Sequence, residues 1–285
     1  MLTRRYVPLL QALPLFAVMA AFVALPLAVL LTISFFGSDG IQLIPDFTLD
    51  NYREVITSHT TWTLLFKTVE YAALTWLFSV VIAFTLSYFL VFYVRDLKWQ
   101  VALFLLCTIP FWTSNVIRMI SWVPFLGREG IFNSALMSIG IVRHPLNFLL
   151  YSDFAVVLTY VHLFTLFMLA PVFNSMAKIS PSVIEAAVDA GAGPFVILRD
   201  VVIPLTRTGI ALGSIFIVAL VMGDFFVVNV MSGGQSANIA SAMKKNIDQL
   251  YYPEAAASAV FLIAVILLVI SAILRVVDVR AELAK

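Results

Sequence analysis

Six apolar runs, near residues 9–36, 66–93, 101–123, 154–176, 206–231 and 257–277, constrain this chain more than any other feature. Each is long enough to cross a hydrocarbon core of about 30 Å at about 1.5 Å per residue. Hydrocarbon offers no water to a free N–H or C=O, so each run is expected to close its own hydrogen bonds as a helix. The expectation is an all-α membrane protein with six transmembrane helices. Composition agrees: 62% of residues are hydrophobic, 12% are charged and the mean hydropathy is +1.03. No internal repeat, low-complexity tract or linker divides the chain, so residues 1–285 read as one membrane domain.

The loops set the orientation. With the amino end in the cytoplasm, Arg4, Arg5, Arg95, Lys98, Lys178, Arg199, Arg207, Arg275, Arg280 and Lys285 fall inside, while Arg53, Arg128, Arg143, Lys244 and Lys245 fall outside. Basic residues concentrate on the cytoplasmic side of membrane proteins, which places both termini there. The first apolar run exceeds the roughly 7 to 15 residues of a signal core and is expected to be a retained span. Thr48-Leu-Asp-Asn-Tyr52 reads as a cap leading into a short amphipathic helix outside the bilayer. Pro124 to Asp153, interrupted by Gly127, Gly130, Gly140 and Pro145, reads as a short interfacial helix or a partial re-entry. The lone Cys107 excludes an internal disulfide and reads as a packed thiol. A net charge of +1 gives no reason to expect nucleic acid as a partner, so lipid is the first surrounding to consider.

One polar stretch, Ser180 to Pro204, stands between two long apolar runs on the side assigned to the cytoplasm. Ser180 suits an N-cap and Pro181 the first helical turn, whereas Gly191 and Gly193 suit an ending and Pro194 bars simple continuation. This predicts a short helix, a break, and a second short helix. Glu185-Ala186-Ala187 forms a small-residue patch, with Asp189 four residues from Glu185 and nearly on its face. Gly191 follows Ala187 after three residues, and after nine more come Val201, Ile203 and Pro204.

That spacing resembles the cytoplasmic EAA loop of permease subunits in bacterial ATP-binding-cassette importers, with Val201 and Ile203 where the family pattern has Ile and Leu. Pro110-Phe-Trp-Thr-Ser-Asn-Val-Ile-Arg118, Thr48 to Tyr52, and the stretches Met222-Gly223 and Ser232-Gly-Gly234 are similar to the first permease of polyamine (spermidine/putrescine) and opine systems. The resemblance implies a type I importer permease fold in a bacterial inner membrane. It implies a second, different permease, a dimer of ATPase subunits and a periplasmic substrate-binding protein as partners. Glu185, Ala186, Ala187, Asp189, Gly191 and Pro204, in a coupling loop over 178–205, would then dock the ATPase. ATP and Mg2+ would be held by that partner, because this chain has no Gly-x-x-x-x-Gly-Lys-Ser/Thr loop and so needs no cofactor of its own.

Charges inside spans cost a few kcal/mol each on insertion scales and are functional candidates. Glu70, Arg118 and Asp224 qualify, and His162 and Asn115 lie at similar depth in the outer half, so these five form the candidate substrate path. A purely structural reading stands beside it: Arg118 snorkels outward or pairs with Glu70, or Glu70 pairs with Lys67. Carboxylates near aromatics such as Trp76, Trp112 and Tyr160 favour a small cationic cargo, and Arg118 counts against it. A gradient-driven transporter using Glu70, Asp224 and His162 as proton carriers is the alternative, opposed by the lack of a visible inverted repeat or paired broken helices. An enzyme is disfavoured: His59, His144 and His162 are scattered, with no metal-binding pattern and no nucleophile elbow.

Overall fold

The computed structural model describes residues 12–38 and 43–277. Arg4, Arg5, Arg280 and Lys285, which entered the orientation argument, and the first residues of the 9–36 run lie outside the described residues. In chain order come α1 (Ala12–Ile33), β1 (Gly37–Ser38), β2 (Leu43–Ile44), α2 (Asp50–Thr57), α3 (His59–Phe92) and α4 (Leu97–Thr108). Then follow α5 (Asn115–Ile120), α6 (Trp122–Leu126), α7 (Ile131–Ser138), α8 (Asp153–Met176) and α9 (Pro181–Asp189). The last elements are α10 (Pro194–Gly223), α11 (Phe226–Met231), α12 (Ile239–Asp248) and α13 (Tyr252–Val276). Among the described residues, five helices are long and apolar enough to cross a membrane, or six if the bent pair containing α4 counts as one span. The chain divides into two compact units: residues up to Thr63 with Ala242–Ala264, and Leu64–Ser241 with the residues from Val265 onward.

In the first unit α1 is apolar on every side and none of it is buried, as suits a helix whose solvent is lipid. It widens into a π-turn at Ala20–Ala24, just before Pro26. A proline has no N–H and its ring crowds the carbonyl four residues back, and the wider turn relieves that crowding. The Thr48 to Tyr52 stretch holds the end of α1. Thr48 Oγ1 accepts the Asp50 N–H at 3.1 Å and donates to Asp50 Oδ2 at 2.7 Å, starting α2. Buried Asn51 donates from Nδ2 to the carbonyls of Ser34 (3.0 Å) and Phe36 (2.8 Å), and the Tyr52 hydroxyl meets Ser34 Oγ at 2.5 Å. The carbonyls that α1 cannot satisfy at its end thus find a side-chain donor.

The second unit is built around α8 and α10. Gly209 and Gly213 are one turn apart on α10, facing Pro171, Ser175 and Met168 of α8. A Cβ at Gly209 would stand 2.4 Å from the Pro171 carbonyl oxygen and 2.5 Å from Ser175 Oγ, and one at Gly213 would stand 2.4 Å from Met168 Sδ. Between lipid-bathed helices there is little hydrophobic drive, so close backbone approach over small residues supplies the attraction. Helix α3 follows the same rule. Its buried stripe includes Leu65, Thr68, Ala72, Thr75, Ser79, Ala83, Ser87 and Leu90, spaced three or four apart and mostly small. From that helix Ser79 Oγ meets Thr165 Oγ1 of α8 at 3.2 Å, and Trp76 Nε1 donates to Ser214 Oγ of α10 at 2.7 Å.

Two expected spans are broken. The 101–123 run is not one helix: α4 tightens into a 3-10 turn at Ile109–Trp112, Thr113 and Ser114 are extended, and the chain resumes as α5 after a bend of 90°. Pro110 and the two hydroxyl residues remove helical continuity there. The 206–231 run stops at Gly223, and Asp224 is extended with φ −90° and ψ 128°, so this carboxylate sits at a break and not within a helix. The second short helix expected after Pro194 is the start of α10 itself, so the 178–205 stretch consists of α9, its ending and the first turns of α10. A π-turn at Leu198–Val202 shifts the hydrogen-bond register just ahead of Pro204, which lets the helix continue through that proline. The expected short helix between the third and fourth runs is α7, tied down by buried Asn133, which donates to the Gly127 carbonyl and exchanges hydrogen bonds with Leu146.

Gly209→Leu forces α8 and α10 apart and should destabilise the protein by about 1–3 kcal/mol, seen as a lower thermal midpoint in detergent. Gly223→Ala, where an added Cβ meets nothing within 4 Å, should leave the midpoint in place.

Candidate functional site: a docking helix and a polar path

Helix α9 begins as its sequence suggests. Ser180 has extended backbone and Pro181 occupies the first turn, but the Ser180 hydroxyl meets Ser182 Oγ at 2.8 Å in place of capping the helix. At the other end the Gly191 N–H bonds to the Val188 carbonyl (2.8 Å) and the Ala192 N–H to the Ala187 carbonyl (3.0 Å). With Gly191 at φ +81° this is a Schellman ending, a conformation that costs a residue with a Cβ about 1 kcal/mol or more. No residue of α9 is buried. Glu185, Ala186 and Asp189 are exposed and Ala187 is half-buried. Beside them Val188 is 55% and Phe195 72% exposed, an apolar surface left uncovered by the described residues. Glu185 also lines a cavity of about 780 Å³ with Tyr88 of α3, Arg95 of the turn that follows it and Gln100 of α4. Five of the six expected docking residues therefore belong to α9 and its ending, whereas Pro204 stands on α10. Phe195 and Arg95 were not singled out in the sequence. An aromatic directly after Gly193-Pro194, in a polar loop, was the available signal.

The expected path residues fall into three networks. Glu70 is exposed and pairs with Lys67 at 3.0 Å, not with Arg118. Lys67 also pairs with Asp153 at 2.7 Å and lies over the Tyr71 ring. Asp153, in the first turn of α8, accepts further hydrogen bonds from the Tyr71 hydroxyl (2.5 Å) and Ser236 Oγ (2.6 Å). In the sequence Asp153 marks only the end of a loop, because its partner Lys67 is 86 residues away.

Asp224 makes a second network at the break between α10 and α11. Its Oδ1 accepts the Val227 N–H at 2.8 Å, in the manner of a cap, and the Tyr160 hydroxyl at 3.1 Å. Asn238 Nδ2 donates to the Asp224 carbonyl at 2.7 Å.

Asn115, Arg118 and His162 do come together. Arg118 is 8% exposed, in the last turn of α5, with Nη2 donating to Asn115 Oδ1. Its Nε is buried without a hydrogen-bond partner. His162 on α8 accepts a hydrogen bond from Trp122 Nε1 at 2.9 Å. Arg118, His162 and Thr165 line a cavity of about 300 Å³. A second cavity of about 660 Å³, holding Phe167, Asn174, Lys178 and Phe216, shares Phe111 and Leu166 with the first. Among the described residues no three His, Cys, Asp or Glu side chains gather as metal ligands.

No protein-family model matches the chain. It is 28% identical over 234 residues to the spermidine/putrescine transport system permease protein PotB of Haemophilus influenzae, covering 81% of this chain and 79% of that one. The fold aligns with a chain of a bacterial ABC transporter that imports the acidic polysaccharide alginate, at TM-score 0.75 and 17% identity, over 96% of both chains. It aligns similarly, at TM-score 0.72 and 16% identity over 95% and 93% of the two chains, with a chain of the alginate transporter in complex with its pentasaccharide-bound periplasmic protein. With five or six candidate spans and an exposed helix carrying Glu185-Ala-Ala, the chain is an all-α multi-pass membrane protein that has the fold of the permease chains of ATP-binding-cassette importers and is similar in sequence to polyamine permeases.

Proposed function

We propose that this chain is a permease subunit of an ATP-driven importer, that it pairs with a second, different permease in a bacterial inner membrane, and that the pair passes a small organic amine of polyamine type received from a periplasmic binding protein. Residues 1–285 serve as one membrane domain, with both termini and α9 in the cytoplasm. A dimer of ATPase subunits grips α9 at Glu185, Ala186, Ala187, Asp189 and Gly191, with Pro204 farther along. ATP and Mg2+ belong to that dimer, and this chain does no hydrolysis. The observation that carries the reading is helix α9, started by Pro181 and closed by the left-handed Gly191 yet with no residue buried. A short helix with so little burial in its own chain is stabilised by a partner. The partner that biases two states must contact them differently. The ATPase does this by moving α9, and the close contact at Gly209 and Gly213 passes the movement from α10 to α8.

On this reading Glu70, Asn115, Arg118, His162 and Asp224 line or border the path. Their distances support unequal roles: Glu70 is held in the Lys67–Asp153 network, and Asp224 holds the break in the fifth span.

Glu185→Lys reverses the charge on the exposed face of α9, and co-purification of the ATPase subunits should fall on the order of tenfold. Normal co-purification with normal coupling would remove α9 as the docking site. At the break, Asp224→Asn keeps an oxygen for the Val227 N–H and should leave the melting midpoint unchanged while slowing uptake several-fold. Asp224→Ala loses the cap and should cost about 0.5–2 kcal/mol of stability. Uptake unchanged in the Asn variant takes Asp224 off the path.

A further inference from the structure

The two cavities beside α8 hold basic groups and no acidic one. The outer carries Arg118 and His162, the inner Lys178, and neither is lined by Asp or Glu. The nearby acids are occupied elsewhere: Glu70 and Asp153 by Lys67, and Asp224 by the Val227 N–H and the Tyr160 hydroxyl. Arg118 has no carboxylate within ion-pair distance among the described residues, although it is more than nine-tenths buried. A buried guanidinium without a counter-charge is costly, and its planar fork matches a carboxylate with two parallel hydrogen bonds. Asn115 orients the fork by accepting from Nη2.

We infer that the transported amine also carries an anionic group, of carboxylate type, and that Arg118, positioned by Asn115, receives that group in the outer cavity. The inference rests on the importer reading above and replaces its polyamine-type cargo with an aminocarboxylate. The opposite end of such a solute is a cation, and aromatic faces receive it. Phe111 lines both cavities and packs edge-on against Phe167 with ring centroids 5.3 Å apart, and Phe167 lies 6.1 Å from Phe216. Ring faces attract an ammonium group without presenting a full negative charge. An outer volume of about 300 Å³ suits a solute of a few carbons. A bare diamine would place a second cation beside Arg118, where like charges repel.

The test uses the complete importer, both permeases, ATPase and binding protein, reconstituted in liposomes with internal ATP. Straight-chain ω-aminocarboxylates of three to six carbons are compared with diamines of the same lengths. ATP-dependent accumulation of at least one aminocarboxylate is expected. Arg118→Gln should raise its KM roughly tenfold or more, the loss of a charge-assisted pair, with the ATPase still co-purifying. Arg118→Lys, which keeps the charge and loses the fork, should fall between the two. If the Gln variant fails to assemble, the Lys variant decides by the same KM. Accumulation of diamines alone overturns the inference and leaves the importer reading intact. So does an unchanged KM in the Arg118 variants, the result expected if a lipid phosphate or an acid of the second permease were the partner. No ATP-dependent uptake of either series overturns the inference, and the importer reading is then judged separately by ATPase co-purification.

Discussion

The approach of α10 to α8 at Gly209 and Gly213 is the contact on which the second unit depends. Side chains that lipid would solvate equally well gain little from being buried against protein, so shape and distance decide the packing. Two glycines one turn apart let a backbone come to within van der Waals distance of the Pro171 carbonyl and the Met168 side chain. Other features of the unit follow from that fixed pair. Trp76 and Ser79 of α3 reach α10 and α8 through single hydrogen bonds, and Asp153 at the head of α8 gathers Lys67, Tyr71 and Ser236. The polar networks lie at the ends and breaks of helices, where backbone groups lack intrahelical partners.

Helix α9 has the opposite character. Its stability within the chain comes from local signals alone: extended Ser180, Pro181 in the first turn, and the left-handed Gly191. Among the described residues none fully buries it, and Val188 and Phe195 give its exposed surface an apolar component beyond the small alanines. A helix made rigid by its ends and left bare on its sides is suited to transmit a push.

Legibility in the sequence followed the range of the interaction concerned. Apolar runs predicted α1, α3, α8, α10 and α13 because burial in lipid is a property of each segment by itself. The start and stop of α9 were readable for the same reason: Ser180, Pro181 and Gly191 act within a turn of their own position. The Lys67–Glu70 pair, three residues apart, was readable too. What escaped was long-range or depended on small residues. Lys67 and Asp153 meet only once α3 and α8 are packed. The stripe Thr68, Ala72, Thr75, Ser79, Ala83, Ser87 on α3 gives almost no hydropathy signal, although it is the packed face. The two breaks were missed because apolar residues flank them on both sides, so hydropathy runs through Thr113 and Asp224 while the backbone does not. For Asp224 the sequence showed an unpaired charge, and the structure added the Val227 N–H and Tyr160 hydroxyl that engage it.

The π-turn at Leu198–Val202 has a mechanical consequence. A π-turn carries one residue more than an α-helical turn, so it offsets the angular phase of everything beyond it by about 100°, the angle of one residue. In α10 that offset falls between the end attached to α9 and the glycines locked against α8. A displacement of the loop therefore enters α10 through a segment whose winding differs from the rest. Without the extra residue, Gly209 and Gly213 would be turned by about 100° away from Pro171 and Met168.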